Sequence, residues 1–533
     1  MQAYDAIVVG AGHNGLTCAC YLARAGLQTL VLDQYHTVGG MATTEELTLP
    51  GFRSDVHAFG FQFANLSPVP DELGLADFGL ELIRPEINYS HVFPGGGIIS
   101  MHREVEDTVA SIGRYSKADG QTWRRLAGDF VQARDNIARW MNSPPASLAD
   151  EIGNMARSPS GMEEYRAGLQ SLRSWGMEHF EREETRLFIG GWACHVGLAP
   201  DDVGGGHMAW LFASLIQDLG NRAVKGGMHQ LPMALAGYLD SQGGAIRTGV
   251  RVSKIVVEDG RATGVRLTSG EVIALSPEGI VASNVDPRQL VVDLLGEDHI
   301  GRDLVEKMRR YEWGDGYLVI YLALDGPVIY DAGPDAQSSA YVHASPPSFE
   351  YLARIYTECR SGRIPASPFM VMLNDSVIDP SRCPEGKAVM KVLVHNVPYE
   401  IGGDATGKID GRTWDKVKEP YADYLIDYLT ETYAPTLKRN ILKRVVHSPV
   451  DIERLMVSAV HGTVTHGAIL PYQLGSQRPL PELAHYRTPV LNVYLCGSGS
   501  HPGPGITMAP GRNAAQVMLR DLSALGHERT SAG

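Results

Sequence analysis

Apolar positions along this chain fall into two rhythms. The run ending Ile7-Val8-Val9 and the run Thr29-Leu30-Val31-Leu32 are short and unbroken, as buried strands are. Between them Leu16, Ala19, Cys20 and Ala23 return at helical spacing, and Gly26 follows as a C′ residue. The start of the chain therefore predicts a β-α-β unit. From about 68 to 221 helical character dominates, with helices over 104–115, 121–142 and 163–180 parted by Ser143-Pro144-Pro145 and Ser158-Pro159-Ser160.

The rhythm changes after Lys225-Gly226-Gly227-Met228, which leads into a helix ending near Gly243-Gly244. Strands follow at 245–247, 252–258, 262–268 and 272–275, with Asp259-Gly260 and Ser269-Gly270 as hairpin signals, so this block predicts a small antiparallel meander. Residues 279–284 return as one more buried strand. Further on, 317–324, 369–373 and 388–395 read as strands, 414–433 as a long helix, 493–496 as a strand and 509–522 as a final helix. The tail 527–533 reads as frayed.

Composition narrows the class. With 44% hydrophobic residues among 533, the chain can bury a large core, which excludes a disordered protein. Its net charge of −14 is spread along the chain, which disfavours a nucleic-acid binder. Six cysteines without a C-x-x-C pair exclude a dithiol redox centre and fit a cytoplasmic protein with buried thiols. The uncharged stretch 6–23 approaches membrane-spanning length, yet Gly10, Gly12, His13, Asn14 and Gly15 break it into strand, turn and helix. The strand at 5–9 also leaves no room for a signal peptide.

The 59 glycines are more informative where they cluster. Gly10-x-Gly12-x-x-Gly15 follows a strand and opens a helix, and Asp33 ends the next strand. Gly10 permits the turn, Gly12 lets a pyrophosphate approach, Gly15 lets helix and strand pack, and the helix start offers free N–H groups. Asp33 suits a ribose diol and repels a 2′-phosphate. His13, Asn14 and Gln34 flank these groups. The second pair Gly39-Gly40, followed by Met41, and the meander suggest a longer cofactor than NAD, so the reading is FAD. No second fingerprint provides an NAD(P)H domain.

Residues 4–52 resemble the FAD-binding start of flavoproteins related to phytoene desaturase, retinol saturase and the amine oxidases. Tyr486-Arg487-Thr488-Pro489, the segment 494–503 and Gly511-Arg512-Asn513 resemble one branch of these, the phytoene-dehydrogenase-like proteins that include pyridine nucleotide-disulfide oxidoreductase domain-containing protein 2. The resemblance implies an α/β fold. A Rossmann-like FAD-binding domain of glutathione-reductase type would assemble from 1–70, 222–290 and 445–526, with an inserted α+β substrate domain from 71–221 and 291–444. It places backbone near Val252 at the adenine, and Gly40, Met41, Gly497 and Ser498 along the flavin side. Met41 stands where many relatives have arginine, so backbone contacts alone carry over there. The turn Gly503-Pro504-Gly505-Ile506 replaces consecutive glycines, and Pro504 leaves Gly505, Ile506 and Thr507 to face the flavin carbonyl.

Candidate catalytic side chains are His466, His501 and His57. His461 and His466 are spaced wrongly for a metal pair, and no metal site is expected. The strand at 316–324 lacks the lysine that amine oxidases of this superfold hold near the flavin, and Lys391 reads as a solvated sheet residue. The expected activity is dehydrogenation or desaturation of an apolar or amphipathic small molecule, with oxygen or a quinone reoxidising the flavin and peripheral membrane contact left open. Alternatives are a redox-neutral double-bond isomerase, a non-catalytic FAD-stabilised interaction protein and an amine oxidase.

Overall fold

A computed structural model describes residues 3–158 and 160–532, with backbone alone for 525–532. Two seven-stranded sheets organise the chain. In the first, the strands Val493–Leu495, Val272–Ser283, Tyr4–Val9, Thr29–Leu32 and Ala245–Arg247 run parallel in that spatial order. All four residues of Thr29–Leu32 and the last four of Tyr4–Val9 are buried, because the helices His13–Arg24, Gln230–Ser241 and Ala509–Ala532 cover one face of the sheet and the meander with Gln289–Leu295 covers the other. That double burial is why both strands read as unbroken apolar runs.

The meander differs from expectation in two ways. The segment Ala245–Arg247 pairs in parallel with Thr29–Leu32, so it extends the main sheet instead of opening the meander. The runs expected as two strands at 272–275 and 279–284 form one strand, Val272–Ser283. Its first residues pair antiparallel with Arg261–Leu267, and its end pairs in parallel with Tyr4–Val9. Pro277 sits exposed in the irregular stretch between the two registers, where no ladder hydrogen bond is required of it.

The second sheet runs in the order Ile441–His447, Gly316–Leu324, Ala388–Val397, Met370–Leu373, Tyr341–Ala344, Ile87–Val92 and Ile98–His102. The last two correct the helical reading of 68–221. They form a hairpin around Gly95-Gly96-Gly97, and the alternation of Ile87 and Tyr89 with Asn88 and Ser90 is the local signal for its first strand. The helix expected over 163–180 is two helices, Gly161–Leu169 and Leu172–His179. Ser171 starts the second by accepting the Ser174 N–H. Strand Ile441–His447 crosses the domain boundary expected at 445 and belongs to the second sheet. The tail 527–533 lies outside the residues whose side chains are described.

Candidate functional site

A cleft of about 160 Å³ opens at the C-terminal ends of the parallel strands. Gly10 leaves Tyr4–Val9 with φ of 102°, and Gly12 begins helix His13–Arg24 with no side-chain cap and no acid in the first turn. The uncapped N–H groups and the dipole make this helix start a seat for an anion. Space decides the glycines. A Cβ on Gly15 would stand 2.1 Å from the Gly10 carbonyl oxygen, and one on Gly12 2.8 Å from Asn284 Nδ2. Gly40 comes back against Gly12, where a Cβ would lie 3.3 Å from the Gly12 Cα.

Asp33 closes the far end. Its Oδ2 accepts the Ala11 N–H at 2.6 Å and its Oδ1 the Tyr35 N–H at 2.8 Å, which aims the carboxylate across the strand ends. Burial raises its pKa, against which these N–H donors work. Gly10, Gly12, His13, Asn14, Asp33 and Gln34 line the cleft together, and so do Gly40, Met41, Val252, His466 and Ser498. Asn14 Nδ2 donates to Ser498 Oγ at 2.9 Å, joining the helix start to the C-terminal turn. His13 and His466 are each pushed down to about 4, mainly by burial, so both rings are neutral near neutral pH. His13 Nε2 and Asn14 Oδ1 are buried with no partner in the protein. An uncapped helix start, an acid at the strand end and orphaned polar atoms between them fit FAD.

Other expected residues stand outside the cleft wall. Gly15 packs beneath the turn, and Gly497 lies against the Asn284 backbone. Gly505 packs on Phe63, and Ile506 holds a φ of 59°, a strained setting for a β-branched residue. Thr507 Oγ1 accepts the Ala509 N–H at 3.3 Å. His501 turns away from the cleft, its Nε2 2.9 Å from the Trp140 carbonyl, and its own carbonyl accepts the Tyr486 hydroxyl. His57 is buried with neither ring nitrogen partnered, and burial, then His447 and Lys391, push it down to about 3.

Lys391 is not a solvated residue. It is 1% exposed, paired across the ladder with Tyr321 of Gly316–Leu324, and its Nζ donates to the Asp55 carbonyl at 2.7 Å. Its ammonium lies 5.0 Å from the Phe59 ring centroid. Asp55 and Asp375 supply the opposite charge and share it with Arg382, 3.0 and 3.5 Å away. Burial dominates and lowers the lysine pKa. On a strand buried on both faces no pattern reports which way one lysine points.

Arg478 went unremarked in the sequence. It is 0% exposed and donates to the carbonyls of Thr465, His466 and Ser498 at 2.8, 3.1 and 3.1 Å, and to Gln473 at 3.3 Å. Among the described residues no carboxylate pairs with it and its Nε has no partner, and a Cβ on Gly503 would stand 3.3 Å from that nitrogen. Two of the carbonyls it grips belong to cleft residues. A sequence signal exists only in its place ahead of Pro479 and the YRTP segment.

Comparison with known proteins agrees with this geometry. The profile of the family described as flavin containing amine oxidoreductase matches residues 15–519. Pyridine nucleotide-disulfide oxidoreductase domain-containing protein 2 of Rattus norvegicus is 29% identical, over 97% of this chain and 94% of its own. One subunit of the limonene dehydrogenase of Castellaniella defragrans is also 29% identical, over 97% and 95%. A phytoene desaturase (lycopene-forming) of Pseudescherichia vulneris is 26% identical, over 97% and 99%. Among solved structures, cyclohexylamine oxidase of Brevibacterium oxydans has the same fold, with a TM-score of 0.60 at 16% identity over 98% of this chain and all of that one. The chain belongs to the flavin-containing amine oxidoreductase family and is a phytoene desaturase-like, FAD-dependent oxidoreductase.

Proposed function

We propose that this oxidoreductase dehydrogenates or desaturates an apolar or amphipathic small molecule, whose hydride passes to flavin N5. The observation that carries this is a packed row of aromatic rings behind the turn before the last helix. Gly505 packs on Phe63, Phe63 lies 4.7 Å from Phe212, and Phe212 lies 4.7 Å from Trp192. Such walls hold a hydrocarbon framework and exclude water. Whole-length relatives named limonene dehydrogenase and phytoene desaturase support the same reading.

FAD, when bound, supplies the two-electron acceptor. The uncapped helix start at His13 and Asn14 would seat its pyrophosphate and Asp33 its ribose. Arg478 would place a fixed positive charge against its anionic oxygens, with the backbone of Gly40, Met41 and Gly505 to Thr507 alongside the ring. Oxygen or a quinone would take the electrons onward. Among the described residues no helix is long and apolar enough to cross a membrane, so contact with a lipid-borne substrate would be peripheral.

Anaerobic incubation with a panel of apolar metabolites tests the reading. One compound class should bleach one flavin equivalent and then stop. Turnover with no acceptor would point to an isomerase, and a flavin that no compound bleaches would reject the proposal. Amine oxidation is the second reading, favoured by the burial of Lys391 beside Phe59. Hydrogen peroxide release with an amine panel would establish it.

A further inference from the structure

Four histidines from four separate elements meet in one aromatic chamber under the second sheet. They are His91 on Ile87–Val92, His195 at the end of Glu183–His195, His343 on Tyr341–Ala344 and His395 on Ala388–Val397. His343 and His91 face each other across a parallel ladder, with ring centroids 5.8 Å apart. His195 Nδ1 lies 3.3 Å from His395 Nε2, and Phe369 stands between His343 and His395 at 5.4 and 5.2 Å. Trp192 closes the chamber, 4.8 Å from His343 and 5.6 Å from His195.

These rings are short of partners. Both nitrogens of His91, both of His343 and Nδ1 of His395 are buried without a hydrogen bond in the protein. Each neutral imidazole has one donor and one acceptor to satisfy, and a buried polar atom left alone carries the full loss of its water. One such atom can be strain; five in one chamber call for a partner that is not protein. A metal is not that partner, since no group of three or more ligating side chains among the described residues could hold one. Nor do the charges point to an ammonium: His343 and His395 feel only neighbouring histidines, burial alone acts on His91 and His195, and no carboxylate acts on any of the four.

The chamber meets the cofactor cleft at Met41 and the turn before the last helix at Gly505. Ala58 donates to the carbonyl of cleft-lining Met41, and the next residue, Phe59, lies 5.3 Å from His195. The row from Gly505 through Phe63 and Phe212 reaches His195 at 6.0 Å.

We propose that this chamber is the polar end of the substrate site, and that its ligand is a neutral, largely apolar molecule carrying a hydroxyl or carbonyl oxygen. The proposal rests on the oxidation of an apolar molecule argued above and separates this chain's substrate from a bare hydrocarbon. Aromatic walls hold the carbon framework, and the orphaned ring nitrogens hydrogen-bond the oxygen.

The test uses the holoenzyme under anaerobic conditions and reads binding as a shift in flavin absorption. The probes are limonene, its alcohol carveol and its ketone carvone. Carveol or carvone should bind ~10-fold or more tighter than limonene, since a site built to hydrogen-bond an oxygen rejects the analogue lacking it. His343→Leu and His395→Leu should erase that difference and His395→Gln should keep part of it. Because the replaced atoms are unpartnered, the leucine variants should melt no lower than wild type, and up to ~2 °C higher. Limonene binding as tightly as carveol, or leucine variants melting several degrees lower, overturns the proposal. If none of the three binds, the melting arm decides. Binding of carveol without bleaching would reject the dehydrogenase reading and keep the chamber, whereas bleaching by limonene alone would do the reverse.

Discussion

Arg478→Met removes the buried charge beside the cofactor cleft while keeping most of the side-chain volume. In the folded chain the guanidinium is 0% exposed, with four carbonyl oxygens at 2.8 to 3.3 Å and no anion. Hydrogen bonds to a charged group contribute about 1.5–3 kcal/mol each, yet taking the charge out of water costs several kcal/mol. In the cofactor-free protein these oppose each other, so the substitution should move the melting temperature little. On the placement proposed above, bound FAD brings an anionic oxygen to Arg478, and a contact-range ion pair at an effective dielectric near 20 is worth about 4 kcal/mol. Its loss corresponds to a dissociation constant ~10²–10³-fold weaker. Arg478→Lys should fall between, keeping the charge but losing the planar fork. Stripping the flavin and titrating it back by fluorescence gives the affinity, and melting both forms gives the cycle. The reasoning is refuted if Arg478→Met binds FAD within ~3-fold of wild type. An equal loss of stability with and without cofactor would show that Arg478 is a structural tie between carbonyls.

Two further outcomes follow from geometry already described. Gly15→Ala puts a Cβ 2.1 Å from a backbone oxygen and 2.9 Å from Asn284 Cβ, so strand and helix must part; stability should fall by about 1–3 kcal/mol or more and FAD should leave with it. Gly128→Ala, which meets nothing within 4 Å on helix Lys117–Met141, is the control and should be neutral or slightly stabilising in the same melts. Asp286 is pushed up to about 7 by burial, with Oδ2 unpartnered. The folded chain therefore keeps a proton that the unfolded carboxyl releases near 3.8, and stability declines as pH rises from about 4 to 7, by an amount of order 4 kcal/mol. Asp286→Asn keeps the Gln289 N–H contact, should flatten that slope and should melt higher than wild type near pH ~8; an unchanged slope assigns it elsewhere.

The cofactor half of the site was legible because its information is local. Gly10, Gly12 and Gly15 lie within six residues, Asp33 ends the next strand, and Gly10, Gly12 and Asp33 line one cleft. Steric rules on glycine and on helix ends act over a few residues, so spacing alone carries them. The same locality explains the failures. Val272–Ser283 reads as two strands because nothing nearby reveals the irregular register between them, and Ile87–Val92 falls inside a span read as mostly helical because six residues are a short signal beside the long helices around it.

The sequence by itself determined the fold class, the FAD fingerprint and the course of most elements in the parallel sheet. Tertiary structure alone decided which buried polar side chains of the second sheet come together. His91, His195, His343 and His395 come from across some 300 residues, and only the pairing of His91 with His343 and the docking of Glu183–His195 beneath them make one chamber. Lys391 and Arg478 became buried cations in the same way, one by strand register against Tyr321 and the other by the carbonyls of a loop folded around it. Such charges take their meaning from desolvation and distance, which belong to the packed chain and leave no trace in the order of its residues.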